Sequence, residues 1–205
     1  MKGFDLPISS VHVDFNKLKN IYDFDFVILR AGWFDYEDIT FKHRYNKAKE
    51  AGLKVGAYWY SYARNCQAVE KEATACLSAL ENVKLDLPIF YDFEEISTIK
   101  PTDNIALLLK TFSNIVSSED RKIGFAIDIV SAAHYVDFYN EIAKEVPMWL
   151  FDMKQLRQFS DEESFNKISN SLNWTIKDYD RITMDDCNIY GDMINLNLML
   201  RRNIV

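Results

Sequence analysis

Extended and helical segments alternate along this chain at intervals of roughly 30 residues, and that alternation limits the fold more than any other feature. Apolar extended runs are predicted over residues 3–8, 24–30, 54–63, 87–95, 122–129 and 147–151. Helices are predicted between them, over 13–20, 39–51, 67–81, 101–116 and 134–144. In the second of these, Phe41, Tyr45, Ala48 and Ala51 share one face at helical spacing, and Gly52 stops the helix. A loop is expected at 32–37, before that helix, and a polar, weakly patterned stretch at 154–171. Two last extended segments are expected at 172–176 and near 193–198. Strands separated by helices pair in parallel, and a total of about eight strands is the number a closed barrel needs. No domain boundary interrupts the pattern, so residues 1–205 read as one α/β domain.

Composition narrows the partners. With 48% hydrophobic and 14% aromatic residues, a large core is available and some rings are free to line a cleft. A net charge of −7 argues against nucleic acid, which requires a cationic face, and the Arg201-Arg202 pair is too short to supply one. Cys66, Cys76 and Cys187 are odd in number and form no CxxC pair, so they read as reduced core thiols. His12, His43 and His134 lack metal-ligand spacing and read as surface or satisfied histidines, and no serine sits in a nucleophile elbow, which argues against a serine hydrolase. No run reaches the ~20 apolar residues of a membrane span. The N-terminal residues enter a strand with no signal-peptide pattern, which leads to the expectation of cytoplasmic synthesis.

The chemistry concentrates at Leu87-Pro88-Ile89-Phe90-Tyr91-Asp92-Phe93-Glu94-Glu95. Strand alternation projects Asp92 and Glu94 from one face, about 7 Å apart. Burial and crowding would raise the pKa of one acid while the other stays charged, which gives a proton donor and a charge stabiliser at the same pH. The plainer reading is a strand end whose acids meet water or cap the next helix. Asp5 falls at the end of the first strand, so in a parallel barrel three acids converge on the rim where active sites form. Upstream, Tyr58-Trp59-Tyr60-Ser61-Tyr62 offers ring faces. Tyr58, Tyr60 and Tyr62 share one side of a strand and Trp59 takes the other, and either sugar contact or core packing accounts for each tyrosine.

Taken in order, these pieces resemble the glycoside hydrolase family 25 muramidases, the Chalaropsis-type lysozymes found among phage endolysins. Gly3-Phe4-Asp5-Leu6, Asp25-Phe26-Val27-Ile28-Leu29-Arg30-Ala31-Gly32, Gly56-Ala57-Tyr58-Trp59-Tyr60-Ser61-Tyr62-Ala63, Tyr91-Asp92-Phe93-Glu94, Trp149-Leu150 and Ile194-Asn195-Leu196-Asn197 carry the likeness. The resemblance implies a modified TIM-like barrel of β5α5β3 kind without a separate cell-wall-binding domain. It also implies hydrolysis of the β-1,4 bond between N-acetylmuramic acid and N-acetylglucosamine in peptidoglycan. On that basis Glu94 is the general acid, Asp92 stabilises the charge developing at the anomeric carbon or orients the acetamido group, and Asp5 supports the rim. Tyr58, Tyr60, Tyr62, Trp149 and Asn195 would contact the glycan strand, and no metal or cofactor enters. A phage-type lysin would reach the wall after release from the cell, or the chain would be one part of a larger exported protein.

The chain also departs from the family pattern. Ala126 stands where the family usually has tyrosine and Asn195 where it usually has aspartate, and residues 7–11 and Trp174-Thr175-Ile176 replace further motifs. These changes motivate two rival readings: a catalytically impaired member that binds glycan or another partner, and a hydrolase of another N-acetylated glycan.

Overall fold

The apolar runs become the strands of one sheet. In a computed structural model, residues 1–6, 12–93, 104–118, 120–128, 131–132, 139, 142, 144–151, 176–184 and 189–199 are described, with 151, 176–184 and 189–199 described through their backbone alone. The elements run β1 (Lys2–Leu6), α1 (Phe15–Asn20), β2 (Phe26–Trp33), β3 (Tyr36–Glu37), α2 (Phe41–Glu50), β4 (Lys54–Tyr60), α3 (Cys66–Ala79), β5 (Ile89–Asp92), α4 (Ile105–Val116), β6 (Ile123–Asp128), β7 (Met148–Phe151), β8 (Ile176–Met184) and β9 (Ile189–Met199). Polar side chains start three of the helices. Asp14 accepts from Lys17 N at 3.0 Å, Asn65 from Ala68 N at 3.0 Å and Asn104 from Ala106 N at 2.8 Å. Each satisfies a backbone donor that the first helical turn leaves open.

The nine strands form one sheet in the order β1-β9-β8-β7-β6-β5-β4-β2-β3, and a further β1–β2 pairing closes it. With β3 only a short flap on β2, eight strands make the ring. Pairing is parallel from β1 through β2, β4, β5, β6 and β7 to β8, while β9 runs antiparallel to both β8 and β1. This is the α/β, TIM-like barrel expected from the alternation, with its last strand reversed.

Closure divides the apolar residues into two cores. Phe4, Leu6, Val27, Leu29, Val55, Ala57, Ile89, Tyr91, Phe125 and Ile127 pack outward against the helices. Phe26, Ile28, Tyr58, Leu87, Phe90, Ala126 and Trp149 form a second cluster to which, among the described residues, no helix contributes, and this is the barrel interior. The division follows strand alternation. The interior is tight: a Cβ on Gly124 would sit 2.6 Å from the Phe90 ring and 2.7 Å from the Pro147 carbonyl, so only glycine fits beside that ring.

One boundary differs from expectation, at the end of β2. The expected loop at 32–37 holds the end of β2 and the strand β3, which pair through Gly32–Glu37 and Trp33–Tyr36 across a turn where Phe34 has φ 51°. Polar Asp35 and Glu37 hid this hairpin from a reading by apolar pattern. Of the extended segment expected at 172–176 only Ile176 lies among the described residues, as the first residue of β8, which continues to Met184. Its run Lys177-Asp178-Tyr179-Asp180-Arg181 is too polar to announce a strand and is held by pairing with β7 and β9. The stretch 154–171, Trp174 and Cys187 lie outside the described residues, as does most of the helix expected at 134–144. Cys76 is a free thiol buried in the outer core, and Cys66 Sγ accepts from Thr111 Oγ1 at 3.5 Å. Among the described residues no helix is long and apolar enough to cross a membrane.

Candidate active site

Because β1, β4, β5 and β6 run in parallel, their last residues gather at one end of the barrel. Asp5 is the penultimate residue of β1, Tyr60 ends β4, Asp92 ends β5 and Asp128 ends β6. Register sets Tyr60 beside Asp92, Asp92 beside Ala126, and Ala126 beside Trp149. Each lies two residues beyond an interior position or is itself interior, so this row faces the barrel lumen. Asp5 and Asp92 are 7% and 5% exposed, sunk into the mouth rather than displayed on its edge. Asn195 sits on β9 at the register position directly across from Asp5. Glu94 lies outside the described residues, two positions past the end of β5.

Tyr58 forms the floor. Its ring packs edge-on to Trp149 at 5.8 Å, and Phe90 meets Trp149 in the same way at 5.6 Å, so Tyr58 and Trp149 are interior packing residues just below the mouth. Burial raises the Tyr58 pKa far above the ordinary phenol value. The charge of Asp5 and then that of Asp92 add to the rise, while Arg30 and Arg44 oppose it. Tyr58 is therefore a neutral phenol beneath the acids.

The three tyrosines do not play one part. Tyr60 is partly buried against the interior cluster, whereas Tyr62 lies beyond the strand and is 47% exposed, with its ring 5.2 Å from that of Tyr60. These two make an aromatic ledge at the lip, and Tyr58 lies beneath it. Trp59 points outward as alternation requires, and its Nε1 donates to the Phe34 carbonyl at 3.0 Å, while Phe34 N donates to the Tyr60 carbonyl at 3.0 Å. The β2–β3 hairpin is thereby tied to the lip.

Sequence reading passed over two rim residues. Arg30 follows Ile28 on the interior face of β2. Its Nε lies 3.4 Å from Asp38 Oδ2, and its guanidinium covers the Trp33 ring at 4.5 Å. Asp128 has the same strand-end position as Asp92, but its Oδ1 accepts from Ser131 N at 2.8 Å, so here the plainer capping role is realised. Period-two alternation carried to the ends of β2 and β6 would have found both. Among the described residues no cluster of His, Cys, Asp and Glu could hold a metal ion. His12 and His43 are exposed.

Known proteins share this architecture. The autolytic lysozyme of Clostridium acetobutylicum is 29% identical over 185 residues, covering 83% of this chain and 54% of the relative, so the chain spans about half the length of that curated relative. The catalytic domain of an endolysin from a Listeria monocytogenes bacteriophage superposes with a TM-score of 0.70 at 17% identity, covering 98% of this chain and 93% of that one. The modular autolysin LytC of Streptococcus pneumoniae, in complex with a synthetic peptidoglycan ligand, superposes with a TM-score of 0.68 at 18% identity, covering 96% of this chain and 46% of the other. At such identities these two structures speak for the fold. The family model described as glycosyl hydrolases family 25 matches residues 5–176, from the acid on β1 to the first residue of β8, and the chain belongs to that family.

Proposed function

We propose that this chain is a muramidase that hydrolyses the β-1,4 bond between N-acetylmuramic acid and N-acetylglucosamine in peptidoglycan. The observation that carries the reading is the convergence of Asp5 and Asp92 from separate strands on the barrel mouth, above a neutral Tyr58 and beside the Tyr60–Tyr62 ledge, in a family 25 chain. The peptidoglycan ligand of LytC and the lytic activity in the name of the clostridial relative support the substrate class.

On this reading Glu94, at the end of the same chain segment as Asp92, protonates the glycosidic oxygen as the bond to the anomeric carbon breaks. Asp92 remains ionised and stabilises the positive charge that develops at that carbon, or holds the acetamido group that shares it. Asp5 supports the rim, and Tyr58 stands as a neutral phenol beneath the two acids. Water then adds at the anomeric carbon, and its proton returns to Glu94. Tyr60 and Tyr62 offer ring faces to the sugars, with Asn195 and Trp149 at the edge and floor of the same cleft. No step calls for a metal or cofactor, and the cell wall is the place of action.

Asp92→Asn is isosteric and removes only the charge. It is expected to lower kcat on N-acetylated peptidoglycan by roughly 10²-fold with KM little changed, measured by release of soluble fragments between pH 4 and 8. If neither form releases fragments yet both retain glycan, the impaired-binder reading motivated by Ala126 and Asn195 replaces this one.

A further inference from the structure

Glu72 is a fully buried carboxylate that the hydrolytic scheme does not use. It lies on the inward face of α3 with Val69, Ala73, Cys76 and Ala79, in the layer between barrel and helices. Its Oε1 accepts from Tyr62 N at 3.0 Å and its Oε2 accepts from the Tyr91 hydroxyl at 2.5 Å. Ser61 Oγ donates to the Tyr91 hydroxyl at 3.0 Å and accepts from Ala63 N at 3.1 Å. One carboxyl thus gathers the three residues that follow β4 and the residue that precedes Asp92. Tyr91 is fixed on its other side by Phe112 of α4, stacked at 3.9 Å.

We propose that Glu72 is a positioning residue for the glycan cleft: from behind the barrel wall it clamps the 61–63 segment, and so sets the Tyr60–Tyr62 ledge and the strand end that carries Asp92. Three features distinguish it from an ordinary core contact. A buried carboxylate is costly, so its presence at an apolar helix position demands the hydrogen bonds it receives. Its partners are the backbone beneath an exposed aromatic ring and the side chain adjacent to a rim acid, both within the cleft wall. Moreover, the chain of hydroxyls has two orders. With Glu72 ionised, Tyr91 donates to it and Ser61 donates to Tyr91; with Glu72 protonated, Oε2 donates to Tyr91 and Tyr91 donates to Ser61, while the Tyr62 amide keeps Oε1 in both.

The titratable groups facing Glu72 among the described residues are Tyr91 from β5 and Cys76 from its own helix, and burial lifts both so that they stay neutral. The neighbours on α4 and on the 61–63 segment carry no charge. Burial likewise pushes the Glu72 carboxyl up to about 7, against the hydrogen bonds from Tyr91 and from the Tyr62 backbone. A carboxyl raised in the folded chain costs nothing below its ordinary value of 4.5 and costs stability increasingly as pH rises toward 7. The two hydrogen-bond orders therefore exchange within the working range.

The effect on catalysis rests on the muramidase reading, whereas the clamp itself can be read without activity. In the 15N-labelled chain the Tyr62 and Ala63 amide shifts should titrate with an inflection near 7, and in Glu72→Gln, which imitates the protonated form, they should stay flat. Glu72→Ala should raise KM for soluble glycan fragments about 10-fold and lower kcat through the displaced Asp92 strand end, and Glu72→Gln should restore both at pH 5. An unmoving Tyr62 amide in the wild type, or an alanine variant with wild-type KM and wild-type Tyr62 hydrogen exchange, overturns the proposal. If the alanine variant does not fold, the amide titration and the glutamine variant decide. If the wild type cleaves nothing, the muramidase reading fails, and the Tyr62 titration still decides the clamp.

Discussion

Glu94→Gln is expected to reduce kcat on peptidoglycan by about 10²–10⁴-fold, the range that a general acid contributes to proton transfer, while glycan binding is preserved. The substitution keeps shape and hydrogen-bonding capacity but removes the only proton that the scheme delivers to the leaving oxygen. In free-energy terms the loss is about 3–5 kcal/mol of transition-state stabilisation, with ground-state contacts untouched. The measurement is a steady-state comparison of reducing-end release by wild type and variant, alongside binding of a soluble glycan fragment. An unimpaired variant would move the acid role to another rim group, Asp5 or Asp92.

A second large effect concerns stability rather than chemistry. Asp38 and Arg44 form an ion pair at 2.7 Å with side chains 1% and 0% exposed, and Asp38 also accepts from Thr40 N at 3.0 Å and Thr40 Oγ1 at 2.6 Å. That single carboxylate holds Thr40, the residue before α2, neutralises Arg44 and meets Arg30 at the barrel rim. Burial already lowers the Arg44 pKa, and Asp38 is the main influence opposing it. Asp38→Ala leaves the guanidinium charged and enclosed, so a loss of about 3–5 kcal/mol is expected, with a drop of roughly 10 °C in Tm by thermal melting. The Lys47–Glu50 pair on the same helix provides the control. Its side chains are 52% and 64% exposed, and Glu50→Ala should cost well under about 1 kcal/mol.

How far the molecule was legible depends on where its information lies. Strands β2, β4, β5 and β6 are apolar runs between helices with clear faces, and local pattern is enough to find them. The closed ring followed from counting them. By contrast β3 and β8 are polar segments that owe their extended form to partners distant in sequence, and no local signal reports a partner. The same holds within the site. Asp5 and Asp92 are found by strand alternation, but whether a strand-end acid remains in the cleft or turns to cap a helix depends on the following loop. Asp128, with Ser131 N three residues on, shows the second outcome. Three tyrosines at spacing two looked equivalent because the end of β4 at Tyr60 is set by the 61–63 turn, which is fixed by Glu72 from another element. Glu72 itself was visible only as an acid on an apolar helix face, a signal that reads equally as a satisfied core group.

The central claim is the bond that is cut. Purified N-acetylated peptidoglycan would be digested with the wild-type chain, the new reducing ends reduced with borohydride, and the terminal sugars identified by mass spectrometry. Muramitol as the new end is the result predicted for cleavage after N-acetylmuramic acid. Glucosaminitol in its place, or no new reducing end from walls that the chain binds, would contradict the account.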